Sequence, residues 1–212
     1  AGNYMDIGGE NGDDASICNI HNENTTACLQ MYQSLNQFFS IEAKEADYDT
    51  VLQEFIDGRT LFTVVTTDAI ARLEAAKADG SLQGEYGMAM LPDVSTDLKS
   101  RGLSVTNGVI VNGYGHHKED ANAFASYLTG TIGADFYDRT GKLTAHKNVS
   151  YENDKPALAM QAYEKSVSLP KIMQVSNFWV QLERTLTGIW EGEDADQALQ
   201  SLQEQMDVQL QK

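Results

Sequence analysis

Basic residues are scarce in this chain of 212 residues: 15 lysines and arginines stand against 31 acids, a net charge of −16. That deficit excludes nucleic acid and anionic membrane as main partners, since both select a basic face. Cysteine is nearly absent. Cys18 and Cys28 lie ten positions apart, a separation that suits a short local disulfide or two ordinary buried thiols. No Cys or His recurs at ligand spacing, so a metal centre is not expected. His116 and His117 are neighbours on a loop and do not converge on one atom; they read as solvated surface. No apolar run approaches the roughly 20 residues of a membrane-spanning helix, and no signal peptide is present. The chain opens Ala1-Gly2-Asn3 without an initiator methionine, which fits removal of a leader and leaves the compartment open. Three prolines and 42% hydrophobic residues mark a folded globular protein with one good core or two small ones.

What is present is a series of amphipathic helices separated by a few strand-like runs. Residues 1–23 are rich in Gly, Asn and Asp and read as loop with one short strand. Their acids Glu10, Asp13 and Asp14 lack the alternation of a calcium loop. A helix is expected from Thr25 or Thr26 to Phe39, with Cys28, Met31, Tyr32, Leu35 and Phe38 on one side. A second follows Asp49 or Thr50 and ends at Gly58, and a third opens after Thr66-Thr67-Asp68 and stops at Gly80. Strand-like runs are RTLFTVV before that third helix, the stretch 86–91 closed by Pro92, and LSVTNGVIVNG from Leu103. Further helices are expected over 119–129, with Ala121, Phe124, Ala125 and Leu128 buried, over 132–139, and over 151–167.

The run VSNFWVQLERTLTGIW, residues 175–190, carries the clearest pattern. Ser176 suits an N-cap, and Phe178, Leu182, Leu186 and Ile189 form one buried stripe. Trp179 lies about 100° round the helix from Phe178, at the edge of the stripe and in the first turn. It either seals the core edge or presents its ring to a cleft. Gly192 suits the left-handed position after the helix. A last helix follows Glu193-Asp194, with Ala195, Leu199, Leu202, Met206 and Leu210 in register.

These stretches, taken in order, resemble one family. QVSNFW with VQLERTLTGIWEGEDADQALQSLQ, YGMAMLP, HKEDANAFASYLTG and the helix–strand–turn–helix around RTLFTVVTTD resemble the C-terminal part of extracellular solute-binding proteins of the maltodextrin-binding kind. The resemblance implies an α/β, periplasmic-binding-protein-like (type II) fold, mostly the C-terminal lobe, with a small mixed sheet covered by helices. Residues 1–100 and 146–212 would form the C-terminal lobe, and 103–145 would belong to the N-terminal lobe, with hinge crossings near 100–107 and 140–146. Relatives are longer at the N-terminus, so the resemblance implies a truncated chain.

It also implies a function: an extracellular or periplasmic carbohydrate receptor, or cell-surface lipoprotein, delivering oligosaccharide to the membrane permease of an ABC importer, as a monomer without cofactor. In the family, a tryptophan at the place of Trp179 packs on a sugar ring, and the turn matched by Thr66, Thr67 and Asp68 reaches the ligand, commonly with an aromatic. Here Asp68 stands in that place, which leaves the identity of the sugar open; as plain chemistry, an acid there suits the helix dipole. Asn177 is a further candidate for a hydroxyl contact. The chain shows no G-x-S-x-G elbow, phosphate-binding glycine loop or metal signature, and no acid pair stands out for glycoside hydrolysis; an enzyme is not expected. A protein-interaction domain and a receptor for another small solute are the alternatives.

Overall fold

The computed structural model describes residues 5–39, 46–131, 136–137, 140–146, 149–151 and 153–210. In chain order the first elements are β1 (Asp6–Gly8), β2 (Asp14–Asn19), α1 (Glu23–Leu35), α2 (Tyr48–Ile56) and α3 (Ala69–Asp79). They are followed by β3 (Leu103–Ser104), α4 (Lys118–Ser126), a π-helical turn (Tyr127–Thr131), α5 (Asp154–Glu164) and β4 (Val167–Ser168). A 3₁₀ turn (Met173–Val175), α6 (Phe178–Trp190) and α7 (Ala195–Leu210) complete the order. The make-up is helix-rich with two small two-stranded sheets, β1–β2 and β3–β4, compatible with the α/β class. Packing divides the chain into two compact units: 1–47 with 92–103 and 167–212, and 48–91 with 104–166. One boundary falls at Leu103, where the expected second segment begins. Residues 48–91 and 146–166, however, group with 104–145.

In the first unit, Ile7, Ile20, Phe178, Leu199, Leu202 and Met206 form the buried centre. The β1–β2 hairpin arises from a stretch expected to be mostly loop. Ile7 stands opposite Cys18, and Asp6 accepts the Gly9 N–H at 3.1 Å to close the turn. Gln203 of α7 fastens β2: its Oε1 accepts the N–H groups of Ile20 and His21 at 2.7 and 3.2 Å, and its Nε2 donates to the Cys18 carbonyl at 3.2 Å. Helix α1 begins earlier than expected, because Asn22 caps it by accepting the Thr25 N–H at 3.0 Å. It also ends earlier, and Met31 and Phe38 are exposed rather than on a buried side. Helix α6 starts two residues after Ser176. Ser176 instead closes the preceding 3₁₀ turn, its N–H bonding to the Met173 carbonyl at 3.2 Å. At the other end of α6, side chains from the end of α1 bond to carbonyls of its last turn and of the loop beyond it. Gln33 donates to Ile189 and Glu193 at 2.7 Å each, and Asn36 to Trp190 at 2.5 Å. Gly192 takes φ +113°, as a residue following a helix end does when its N–H turns back, here to Ile189. Asp194 caps α7 by accepting the Gln197 N–H at 2.9 Å.

In the second unit, Leu52 and Ile56 of α2 pack with Ala69, Leu73 and Ala76 of α3 and with Leu82. Gly58 and Gly80 adopt positive φ at the two helix ends, where the sequence places them. Glu74 on α3 is a hub. Its Oε1 accepts from the Tyr86 hydroxyl and from Lys155 Nζ, each at 2.6 Å, and Lys155 sits 4.0 Å above the Tyr86 ring. The Lys155 bond, then the Tyr86 bond, hold the Glu74 carboxyl below its ordinary range. A depressed carboxylate stabilises the fold above its unfolded titration range, and the contribution is lost as pH falls through the folded value. Lys155→Met should therefore destabilise the protein near neutrality, by about 1 kcal/mol or less given the solvent screening of this half-exposed pair. Urea titrations from about pH 7 to about pH 3 should show wild type and variant converging in acid. A gap that persists unchanged there would contradict the hub.

Three expectations are corrected here. Of the strand-like runs, only Leu103–Ser104 joins a ladder; residues 59–65, 86–91 and the remainder of 103–113 do not. A β-prone run becomes a strand only beside a partner with matching free amides and carbonyls, and the described residues offer none. Helix α4 ends at Ser126, the chain continues in a π turn, and Phe124 is 60% exposed instead of buried. The helix expected over 151–167 runs from Asp154 to Glu164, started by Asn153, whose side chain accepts the Lys155 N–H at 3.0 Å. Most of the helix expected over 132–139 lies outside the described residues.

Candidate functional site

The expected site residues fall on both units, and each group stands by itself. In the second unit, the turn leading into α3 carries Thr66, Thr67 and Asp68, all exposed. Asp68 takes the position before the helix but caps no backbone N–H with its side chain. Its carboxylate instead accepts from two hydroxyls: Thr66 Oγ1, and Tyr48 Oη at 3.4 Å. The Thr66 N–H in turn donates to Tyr48 Oη at 3.3 Å, so α2 and the turn share one hydrogen-bonded cluster. Beside it, Asp49 and Arg72 pair at 2.6 Å, leaving the Asp68 carboxylate to the hydroxyls. Thr67 makes no side-chain bond within this cluster; its carbonyl accepts from Ile70 at 3.4 Å. Tyr48 was not singled out from the sequence. Its bond spans 20 positions, and the only local signal was its place just before Asp49 at a helix start.

In the first unit, Phe178 is buried and Trp179, one step round α6, is 42% exposed. The two rings meet edge to face, 5.2 Å between centroids and 63° between planes. That contact fixes the indole against a buried neighbour while one side stays open to solvent. Leu182 and Leu186 are half-buried, and Ile189 is fully buried. Asn177 precedes α6 with its side chain uninvolved in capping. The second tryptophan, Trp190, is buried against Tyr32, 5.1 Å between centroids.

Two open grooves on this unit are lined by other residues. One, of about 500 Å³, lies between α6 and α7 beside Gln181, Arg184, Gln197, Ser201 and Gln205. The other, of about 440 Å³, lies beside His21, Asn22, Thr26 and Asp196. At its edge His21 Nε2 stands 2.8 Å from Asp196, and this bond is the main cause of a depressed Asp196 carboxyl.

Cys18 and Cys28 are both free, half-buried thiols. Burial, followed by the charge of Asp207, pushes the Cys18 thiol up to about 11, which keeps it protonated and a poor nucleophile near neutrality. His116 and His117 are exposed. Among the described residues no group of three or more His, Cys, Asp or Glu side chains is placed to hold a metal ion. No helix among them is long and apolar enough to cross a membrane. No protein-family model and no curated protein matches this chain.

Proposed function

We propose that this chain is the carbohydrate-binding part of an extracellular solute receptor of the type II periplasmic-binding kind, delivering oligosaccharide to the permease of an ABC importer. It acts without a cofactor and without chemistry on the ligand. The observation that carries the reading is Trp179, an indole held edge-on by buried Phe178 with one side open. The C–H face of a pyranose packs on such a ring, gaining about 0.5–1.5 kcal/mol beyond the area buried. Asp68, in the second unit, is a separate candidate for a hydroxyl contact. A sugar offers many O–H donors, and a bond to an ionised acceptor is stronger than one to a neutral acceptor. Asn177 beside Trp179 in the first unit, and Thr66 and Thr67 beside Asp68 in the second, are candidate polar contacts each within its own unit. In this reading residues 103–145 belong to the opposite lobe, and closure is by hinge motion, as in periplasmic binding proteins.

Calorimetric titration with neutral oligosaccharides tests it. Trp179 and Asp68 are open to solvent, whereas a tight ligand site buries roughly 70–90% of its ligand. The chain by itself is therefore expected to bind with Kd near 1 mM, about −4 kcal/mol. Absence of saturable binding by every oligosaccharide tried would overturn the reading. Micromolar affinity would place the ligand in an enclosed site rather than on these open groups.

A protein-interaction role is the second reading, favoured by the exposure of Leu61, Phe62, Val105 and Ile110 in the second unit.

A further inference from the structure

The open groove between α6 and α7 in the first unit is walled mainly by uncharged polar side chains. Gln181 and Thr185 come from α6, and Gln197, Ser201 and Gln205 from α7. The α7 residues recur every fourth position, so they stand about 6 Å apart along one face and span about 12 Å of the helix. Gln181 and Thr185 repeat that spacing on the facing wall. Arg184 and Glu193, of opposite charge, also border the groove. Its volume, about 500 Å³, falls within the roughly 300–1,000 Å³ of small-molecule sites.

Gln181 sets this groove apart from ordinary polar surface. Its Oε1 is covered and has no hydrogen-bond partner among the described residues. Gln209 Oε1 shares that condition but does not line the groove. By contrast, the amides of Gln33 and Gln203 are bonded to backbone groups. A covered acceptor without a donor costs free energy, and turning the side chain outward to a donor in the groove recovers it. Gly188 shapes the loop end. A Cβ there would fall on the Glu193 carboxylate, so glycine at 188 lets that carboxylate lie close against α6.

We propose that the α6–α7 groove is a second saccharide site, which takes a neutral oligosaccharide lengthwise between the two polar rows, separately from Trp179. The class of ligand rests on the carbohydrate-receptor reading; the site itself does not use the indole. A hydroxyl both donates and accepts, so it satisfies a primary amide whichever way that amide is turned. A linear chain of sugar rings presents such groups at intervals along both edges, as the two rows require. The Glu193 carboxylate at the loop end and the net charge of −16 disfavour an anionic sugar. Gln181 follows Trp179 by two positions, about 200° round the helix, so the groove and the indole face different ways.

A proton–nitrogen NMR titration that follows side-chain signals, run with a neutral trisaccharide, a neutral monosaccharide and glycylglycine, tests this. The expected result is a saturable shift of the Gln181, Gln197 and Gln205 amide signals with the trisaccharide, midpoint near 1 mM. The monosaccharide reaches only part of each row, and its midpoint should lie about fivefold higher or more. Gln181→Met should raise the trisaccharide midpoint at least about tenfold, while the urea midpoint of unfolding stays level or rises, since a covered, unpartnered acceptor has gone. Ser201→Leu, at an exposed position of α7, fills the groove without touching Gln181 and should weaken binding likewise. Sugar that moves the Trp179 indole signal but no groove amide would overturn the second site and leave the receptor reading standing. Silence at both would overturn both. Groove amides that answer glycylglycine as strongly as the trisaccharide, or a Gln181→Met variant that binds normally or unfolds at lower urea, would also overturn the proposal.

Discussion

Replacing Leu199 with alanine is expected to cost the first unit about 2–5 kcal/mol, the range for large-to-small changes at filled core sites. Leu199 has no solvent exposure and lies among Ile20, Phe178, Leu202 and Met206, where α7 meets the β1–β2 hairpin and α6. The residues around the lost methyl groups belong to three different elements, each fixed by its own hydrogen bonds, so the space collapses poorly. Both tryptophans lie in this unit, and their fluorescence during urea unfolding therefore reports its stability. A shift below about 1 kcal/mol would mean that α7 is not the centre of this core. For comparison, Val208→Ala on the exposed side of α7 should stay within about 0.5 kcal/mol of wild type.

Replacing Trp179 with alanine is expected to weaken oligosaccharide binding by about 1–2 kcal/mol, roughly five- to thirtyfold in Kd. The same change should lower stability by less than about 1 kcal/mol, because nearly half of the side chain is already exposed and Phe178 remains buried without it. This separation carries the weight: a tryptophan that merely seals a core would lose stability first and affinity only as a consequence. Trp179→Phe should recover part of the affinity, since a smaller ring still offers a face to a pyranose. An unchanged Kd in the alanine variant would remove Trp179 as the platform.

Some of this architecture is legible in the sequence because its cause is local. Gly58, Gly80 and Gly192 end helices where glycine stands just past an apolar repeat, and all three adopt positive φ. The repeats in 178–189 and 195–206 place Phe178, Ile189, Leu199, Leu202 and Met206 in the interior. Features decided by distant partners were not legible. Residues 59–65 and 103–113 have strand composition, but composition does not supply a neighbour, and only Leu103–Ser104 found one, with Val167–Ser168. The β1–β2 hairpin was obscured for the opposite reason. Its glycine- and aspartate-rich turn lowers the apparent strand content of 6–19, yet Gln203, more than 180 positions away, holds β2 in place. Ser176 had the chemistry of a cap, but the 3₁₀ turn before α6 claimed its backbone. At the candidate site, helical spacing put Trp179 at the edge of the buried stripe but left open whether it seals the core; its exposure was seen only in the folded chain. The attachment of Tyr48 to Thr66 and Asp68 required the packing of α2 against α3.

The most direct test of the carbohydrate-receptor reading uses the two indole N–H signals of the chain in a proton–nitrogen NMR titration with neutral oligosaccharide. Trp190 is 8% exposed and packed on Tyr32, while Trp179 is 42% exposed, so one ring serves as internal reference for the other. The expected result is a saturable shift of the Trp179 indole signal, with midpoint near 1 mM, while the Trp190 signal stays in place. A Trp179 signal that does not move at saturating sugar, or that moves only together with Trp190, would contradict the claim that this ring is where the ligand rests.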